Sequence, residues 1–353
     1  MKIVRVNASK EYKVLIGADI LDRAGEYIYG AAGGSAAAVV TDDIVSGLYL
    51  ERTLASLRAA GYDTSVFTIR NGETSKNAYT YIKLAEHLAD KRLARSDVII
   101  ALGGGVVGDL AGFAAATYMR GISFAQIPTT LLAAVDSSVG GKTAIDLEAG
   151  KNLVGAFYQP DAVICDVTVI ERIPPRVYTD GCAEVIKYGM IADSDLLHML
   201  DSSGKPDIED IITRCVTIKR DIVCKDEFES GERKLLNFGH TVGHAVEQLS
   251  NYKISHGRAV AIGMAVETMA AVKMRMCGED CYRGLIDILH RHGLPYNTRY
   301  SAEELARAAL SDKKRKGDKL TLIMPRRPGK CIMSDVKIED LESVIALGLD
   351  YEH

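Results

Sequence analysis

Over its first 170 or so residues the chain alternates short apolar runs with stretches of helical period, and this alternation limits the possible folds most. KIVRV, YKVLIG, AAAVVTDD, TSVFTIR, SDVIIALGGG, SFAQIP and AVICD each read as a β-strand bounded by Gly, Asp or Pro. LYLERTLASLRAAG (48–61) and NAYTYIKLAEHLADKRL (77–93) carry helical spacing between them. Such alternation predicts a mostly parallel sheet covered on both faces. After IPPR (173–176) the strand signals almost vanish. Segments such as PDIEDIITRCVTIKRDIV and GRAVAIGMAVETMAAVKMRM keep only the helical period. The expected organisation is an α/β domain over 1–172 and an all-α domain over 173–353, and 353 residues suit two domains.

The second half concentrates its chemistry in residues 225–260. Three of the eight histidines, His240, His244 and His256, fall there within seventeen residues, beside Lys225, Glu229, Glu232, Arg233 and Glu247. His240 and His244, four apart, share one helical face, and two imidazoles so spaced can chelate a metal ion. His256 follows a helix break, SNYKISHG, from which a loop can return it to the first pair. The pattern is HxxxH and lacks the glutamate that serves metalloproteases as base. A lone HxxxH is more often a surface or satisfied core pair; His256 and the nearby Lys, Arg and Asn bring a metal site level with that reading, and spacing leaves the ligand set open.

Composition narrows the partners. A net charge of −4 gives no global attraction to nucleic acid or an anionic membrane, so an anionic ligand must meet a local cluster. Seven scattered cysteines, with Cys277 and Cys281 in a CxxxC one residue too long for the usual redox or zinc pair, suit a reducing compartment. The N-terminus shows no apolar core with a cleavage site, and no apolar run approaches the ~18 residues of a membrane span. The expectation is a soluble, cytoplasmic protein.

Two stretches of the first half look made for anions. DVIIALGGGVVGDLAGFAAATYM joins a strand to a small-residue helix through Gly103-x-Gly105-x-x-Gly108, where glycine lets backbone N–H groups approach a phosphate. It opens near residue 100, not in the first βα unit as the usual dinucleotide fingerprint does, and a tight packing turn would need the same glycines. QIPTTLLAAVDSSVGGKTAIDLEAGKNLVGAFYQP (126–160) gathers Thr129, Thr130, Ser137, Ser138, Lys142, Lys151 and Asn152. Its GGKT lacks the first glycine of a phosphate-binding P-loop, so two lysines flanking a Gly-rich turn read better as a clamp for an anionic small molecule. In GCAEVIKYGMI, Glu184 and Lys187 stand three apart on one face amid apolar and small residues, which favours a buried functional pair.

Taken together, GGGVVGDLAGFAAATYMRGI, IPTTLLAAVDSSVGGKTAID, GKNLVGAFYQP, AEVIKYG, LNFGHTVGHAVE and SHGRAVAIGM resemble the 3-dehydroquinate synthase family, in its order, over roughly residues 70–265. The resemblance implies a Rossmann-like NAD-binding α/β domain and a helical metal- and substrate-binding domain. It implies a homodimer with one zinc or cobalt ion per subunit. The activity implied is conversion of 3-deoxy-D-arabino-heptulosonate 7-phosphate to 3-dehydroquinate and phosphate. The alternatives are a metal- and NAD-dependent polyol dehydrogenase or another sugar phosphate cyclase. The first has no need of a clamp for phosphate and carboxylate, and the second acts on substrates without the carboxylate.

Carried over position by position, the resemblance makes Glu184, His240 and His256 the metal ligands and moves His244 to the substrate phosphate. Lys142, Asn152 and Arg120 match further phosphate contacts, with Arg120 reaching the neighbouring subunit's site. Arg233 and Asn237 match groups that hold the carboxylate, and Asp136, Lys187 and Lys225 those around the ring hydroxyls; Glu229 is a further acidic position. The NAD surface is implied at Asp42, at Asn71, Gly72, Glu73, Thr74, Ser75 and Lys76, and at Gly104, Gly105, Val106, Val107, Gly108 and Asp109. Thr129, Thr130, Leu132, Lys142, Lys151, Val169 and Arg172 complete it. Arg172 stands where the family commonly has threonine, and Ile44 where it sometimes has asparagine. In Asp312-Lys313-Lys314 one lysine, Lys313 or Lys314, matches a substrate contact.

Overall fold

The computed structural model describes residues 1–201, 207–311 and 318–350. The chain forms two compact units, residues 1–174 with 208–228, and residues 175–207 with 229–353. The first crossing thus falls two residues beyond the expected boundary at 172. The chain then returns, so the second domain is not the continuous 173–353 segment. The returning helix, Ile208–Lys225, buries Ile211, Ile212, Cys215, Val216 and Ile222 at helical spacing. Asp210 on it pairs with Lys2 at 2.9 Å. Its period identified it as a helix, but an amphipathic period does not say which core the apolar face will join.

In the first unit all seven predicted runs are strands of one sheet: β1 (Lys2–Asn7), β2 (Glu11–Gly17), β3 (Ala36–Asp42), β4 (Asp63–Ile69), β5 (Val98–Gly103), β6 (Ser123–Pro128) and, after a separate hairpin, β9 (Ala162–Asp166). Their order is β1-β2-β9-β6-β5-β3-β4, parallel throughout except for β1 against β2. Alternate residues of β5 serve opposite cores. Val98, Ile100 and Leu102 pack with Leu57 and Ile28, whereas Ile99 and Ala101 pack with Leu84, Phe113 and Phe124. A strand buried on both faces reads as a continuous apolar run, which is how VIIALG reads. The hairpin, β7 (Lys142–Leu147) with β8 (Gly150–Phe157), was not among the predicted strands. β8 has no buried residue, so it carries no apolar alternation to read.

Register aligns the carboxyl ends of four neighbouring strands: Asp42 lies opposite Ile69, Thr41 opposite Leu102, and Gly103 opposite Pro128. In open α/β sheets ligands bind beyond this edge. The expected NAD residues leave from these strand ends, Asp42 on β3, 71–76 after β4, 104–109 after β5 and 129–132 after β6.

The second unit packs the helices His240–Leu249, His256–Lys273, Ala302–Ser311 and Leu341–Leu349 around one apolar core, with Pro175–Ile191 beside it. It is helical but not wholly so. A hairpin, β10 (Lys319–Arg327) with β11 (Lys330–Lys337), adds Leu320, Leu322 and Met324 to that core at strand spacing. Two glycines set the helix spacing. A Cβ on Gly263 would stand 1.9 Å from the Gly239 carbonyl oxygen, and one on Gly257 would stand 1.9 Å from that of Asp180. Both helices that begin with a histidine are thereby held at backbone contact with their neighbours. Gly263→Ala is expected to cost about 3 kcal/mol, the upper end for overpacking, measured as a shift in the urea unfolding midpoint. A change within about 0.5 kcal/mol, as for an ordinary surface substitution, would contradict this close crossing.

Candidate active site

The centre of the second unit is a buried carboxylate facing two imidazoles. Glu184, on the helix Pro175–Ile191, is 0% exposed. His240 and His256 are the first residues of their helices. His256 Nε2 lies 3.3 Å from Glu184 Oε1, and His240 Nε2 lies 3.7 Å from the same oxygen. Gly239, in the left-handed conformation (φ 77°), turns the chain into the first helix, and its N–H donates to the buried Glu267 carboxylate at 2.8 Å. At the start of the other helix, the Asp180 carboxylate accepts from Ser255 Oγ at 2.6 Å and from the Arg258 N–H at 3.2 Å.

Two overlapping sets of donors lie within 4.8 Å of one another: Glu184, His240 and His256, and His244, Glu247 and His256. Hydrogen bonding orients two members of the first set. His240 Nδ1 lies 3.1 Å from the Phe238 carbonyl oxygen, and His256 Nδ1 lies 3.2 Å from Glu247 Oε2. Each acceptor favours a proton on Nδ1 and turns Nε2 towards Glu184, the arrangement that orients metal-bound histidines. Burial alone would depress the pKa of His256, but Glu247 and Glu184 outweigh it and push it up to about 10. A divalent ion there would take the place of a proton. The donor set, two imidazoles and one carboxylate, is that of a catalytic zinc site. His244, one turn along from His240 with ring centroids 5.4 Å apart, stands beside this centre. Lys187, 1% exposed, pairs with Glu184 through its ammonium, as expected for a buried pair. Arg233 is buried in the short helix Glu232–Asn237, and the Asn237 amide donates to Glu229.

In the first unit the turn after β5 fits a dinucleotide. Gly104 caps the helix Gly105–Thr117 with no side-chain hydrogen bond. A Cβ on Gly104 would meet Thr130 Cγ2 at 3.2 Å, and one on Gly105 would meet Ser137 Oγ at 3.2 Å, so the backbone of this turn is accessible only because side chains are missing. The Lys76 ammonium, 4% exposed, contacts Glu73 at 2.8 Å, Asp109 at 2.9 Å and Asn152 Oδ1 at 2.8 Å. Burial raises the Asp109 pKa while Lys76 pulls it back. Lys151 approaches Glu73 at 3.8 Å. Asp42 caps the helix Asp43–Ala59, accepting from the Ile44 and Val45 N–H groups. Val169 is buried and Arg172 exposed.

The remaining expected contacts are dispersed over the first unit. Lys142 begins β7, and Lys225 ends its helix at the surface. Asp136 sits in a π-helical turn, Ala133–Ser137, where Lys219 binds its carboxylate at 3.0 Å and its carbonyl at 2.7 Å. Met119 and Arg120 adopt left-handed backbone (φ 50° and 64°) before Gly121 (φ 121°), leaving Arg120 exposed. A strained turn of this kind persists only where its surroundings impose it. Lys313, Lys314 and Asp312 lie outside the described residues. Lys219, Glu267 and the orienting role of Glu247 escaped sequence reasoning. A charged residue on the apolar face of an amphipathic helix is the signal that marks Lys219.

Residues 66–180 match the family model for the 3-dehydroquinate synthase N-terminal region, and residues 181–315 match that for its C-terminal region. The 3-dehydroquinate synthase of Clostridium kluyveri is 43% identical over 97% of both chains, and that of Enterococcus faecalis 41% over 98% of both. The chain belongs to the 3-dehydroquinate synthase family. A crystal structure of 2-deoxy-scyllo-inosose synthase complexed with carbaglucose-6-phosphate, NAD+ and Co2+ has the same fold, with 25% identity and a TM-score of 0.86 over 98% of this chain and 99% of that one. If Glu247 orients His256 in this member of the family, Glu247→Leu should weaken Zn2+ or Co2+ binding roughly 10–100-fold in a chelator competition, the usual cost of losing such a partner. Complete loss would make Glu247 a ligand, and unchanged affinity would deny it any role.

Proposed function

We propose that this chain is a cytoplasmic 3-dehydroquinate synthase. It converts 3-deoxy-D-arabino-heptulosonate 7-phosphate to 3-dehydroquinate and phosphate by oxidation, phosphate elimination, reduction and intramolecular aldol closure. The observation that carries this reading is the centre of Glu184, His240 and His256, in a chain that follows a family member over 97% of its length. When bound, NAD supplies the reversible oxidation, and a divalent ion, zinc or cobalt, supplies Lewis acidity. Glu184, His240 and His256 hold the ion. The glycine turn at 104–105, with Thr129, Thr130, Asp109 and Lys151, holds the cofactor.

The chain's own residues bind and orient the rest. Arg233 and Asn237 take the substrate carboxylate, where a rigid guanidinium fork and an amide match two oxygens. Lys187, held by Glu184, keeps a positive charge beside the ring hydroxyls, and Asp136, fixed by Lys219, accepts from one of them. Lys142, Asn152 and His244 meet the phosphate. The enzyme acts as a homodimer in which the partner subunit's Arg120 completes that pocket. Support for this last step is the exposed, strained turn on which Arg120 stands. Orientation of a substrate anchored at both ends is what such a set contributes.

A cyclase restores its NAD in every turnover. Phosphate should therefore appear in step with product while NADH absorbance stays flat, and a chelator should stop both. A polyol dehydrogenase would accumulate NADH with glycerol and release no phosphate. That result would overturn the proposal.

A further inference from the structure

Asp146, to which neither the family pattern nor the reaction gives a role, sits at an irregularity of the first unit's hairpin. β7 and β8 pair from Lys142 opposite Phe157 to Ile145 opposite Val154, and then slip so that Leu147 faces Gly150. Between these pairs Asp146 on β7 stands against residues 151–153 on β8, none of them in register. Its N–H donates instead to the Lys76 carbonyl at 2.8 Å, and Asn77 bridges to it in parallel. Bulges of this kind re-aim a side chain beside functional sites. Here the Asp146 carboxylate turns to accept the Asn152 N–H at 2.8 Å. Asn152 is held there with φ 54°, the left-handed conformation that asparagine tolerates better than most residues.

The network closes on itself. The Lys76 ammonium donates to Asn152 Oδ1 at 2.8 Å. An ammonium has only donors, so the atom facing Lys76 must be the amide oxygen, and the amide NH2 is left to point away. Asn152 is exposed, whereas Lys76 is buried. Lys76 therefore sets the direction of the amide, and Asp146 sets the backbone from which it projects. Each link is a polar contact at ordinary hydrogen-bond length.

We propose that Asp146 is a positioning residue, which acts through Asn152 to present two amide donors to the substrate phosphate. The proposal rests on the reading that Asn152 meets that phosphate. Glu73, Lys76, Asp109 and Lys151 are the charged groups around it. Burial pushes the Asp146 carboxyl up to about 6, against the pull of Lys76 and the Asn152 N–H. The proposed role uses its acceptor oxygen.

The test is a double-mutant cycle in the NAD- and metal-loaded enzyme, with inorganic phosphate as the competing ligand. Asp146→Ala is expected to raise the inhibition constant of phosphate and lower kcat/KM roughly tenfold, the size of one hydrogen bond to a charged group. NAD affinity should change less than twofold. Asp146→Asn keeps an acceptor oxygen and should recover most of the loss; it also serves if the alanine variant folds poorly. In an Asn152→Ala background, Asp146→Ala should cost less than twofold further. An undiminished loss in that background, or no loss in either Asp146 variant, overturns the positioning role. An Asn152→Ala enzyme that binds phosphate as tightly as wild type overturns the phosphate reading of Asn152 itself, and the proposal with it.

Discussion

A carboxylate removed from water must be met by positive charge or give up its own, because isolated burial costs far more than any contact it makes with neutral groups. Glu184 is in this position, wholly buried in the middle of a helix. Lys187, one turn on, answers one oxygen, and His240 and His256 bring their Nε2 atoms to the other. The rest of the second unit can be read as the means of bringing these groups together. A divalent ion at that point would satisfy the carboxylate and both imidazoles at once.

Backbone contact fixes the geometry. Gly257 lets the His256 helix begin against Asp180, one turn before Glu184 on its own helix, and Gly263 lets the same helix cross at Gly239, just before His240. The three donors are thus tied to each other through two places where only hydrogen fits. The Glu267 carboxylate on the Gly239 N–H fixes the left-handed turn between them. The first unit uses glycine differently. Its turn after β5 exposes helix N–H groups at the carboxyl edge of a parallel sheet, the ordinary location of a dinucleotide phosphate.

Sequence pattern made the sheet legible because each of its strands has its own apolar run between turn residues. Its silence about β7 and β8 has the same cause, since β8 buries no residue and β7 buries three in a row, so neither leaves an alternation. The donor cluster around Glu184 was half legible. His240 and His244 share a helical face, so spacing alone favours them as a pair, whereas Glu184 lies far away in the chain and only family resemblance pointed to it. What orients His240 and His256 in the fold is the partner of each Nδ1, a Phe238 carbonyl and the Glu247 carboxylate, which no spacing rule records. The return of the Ile208–Lys225 helix to the first unit was likewise invisible, as either core would accept its apolar face. Lys219 on that face was the one discordant residue, and it proves to hold Asp136.

His256 belongs to both possible donor sets, so the decisive comparison is between His240 and His244. Metal content per subunit, measured after reconstitution with Zn2+ or Co2+ and removal of the excess, separates them. His244→Ala is predicted to keep its ion and His240→Ala to lose it. An ion retained in His240→Ala and lost in His244→Ala would put the metal on His244, Glu247 and His256, and would contradict this account of the centre.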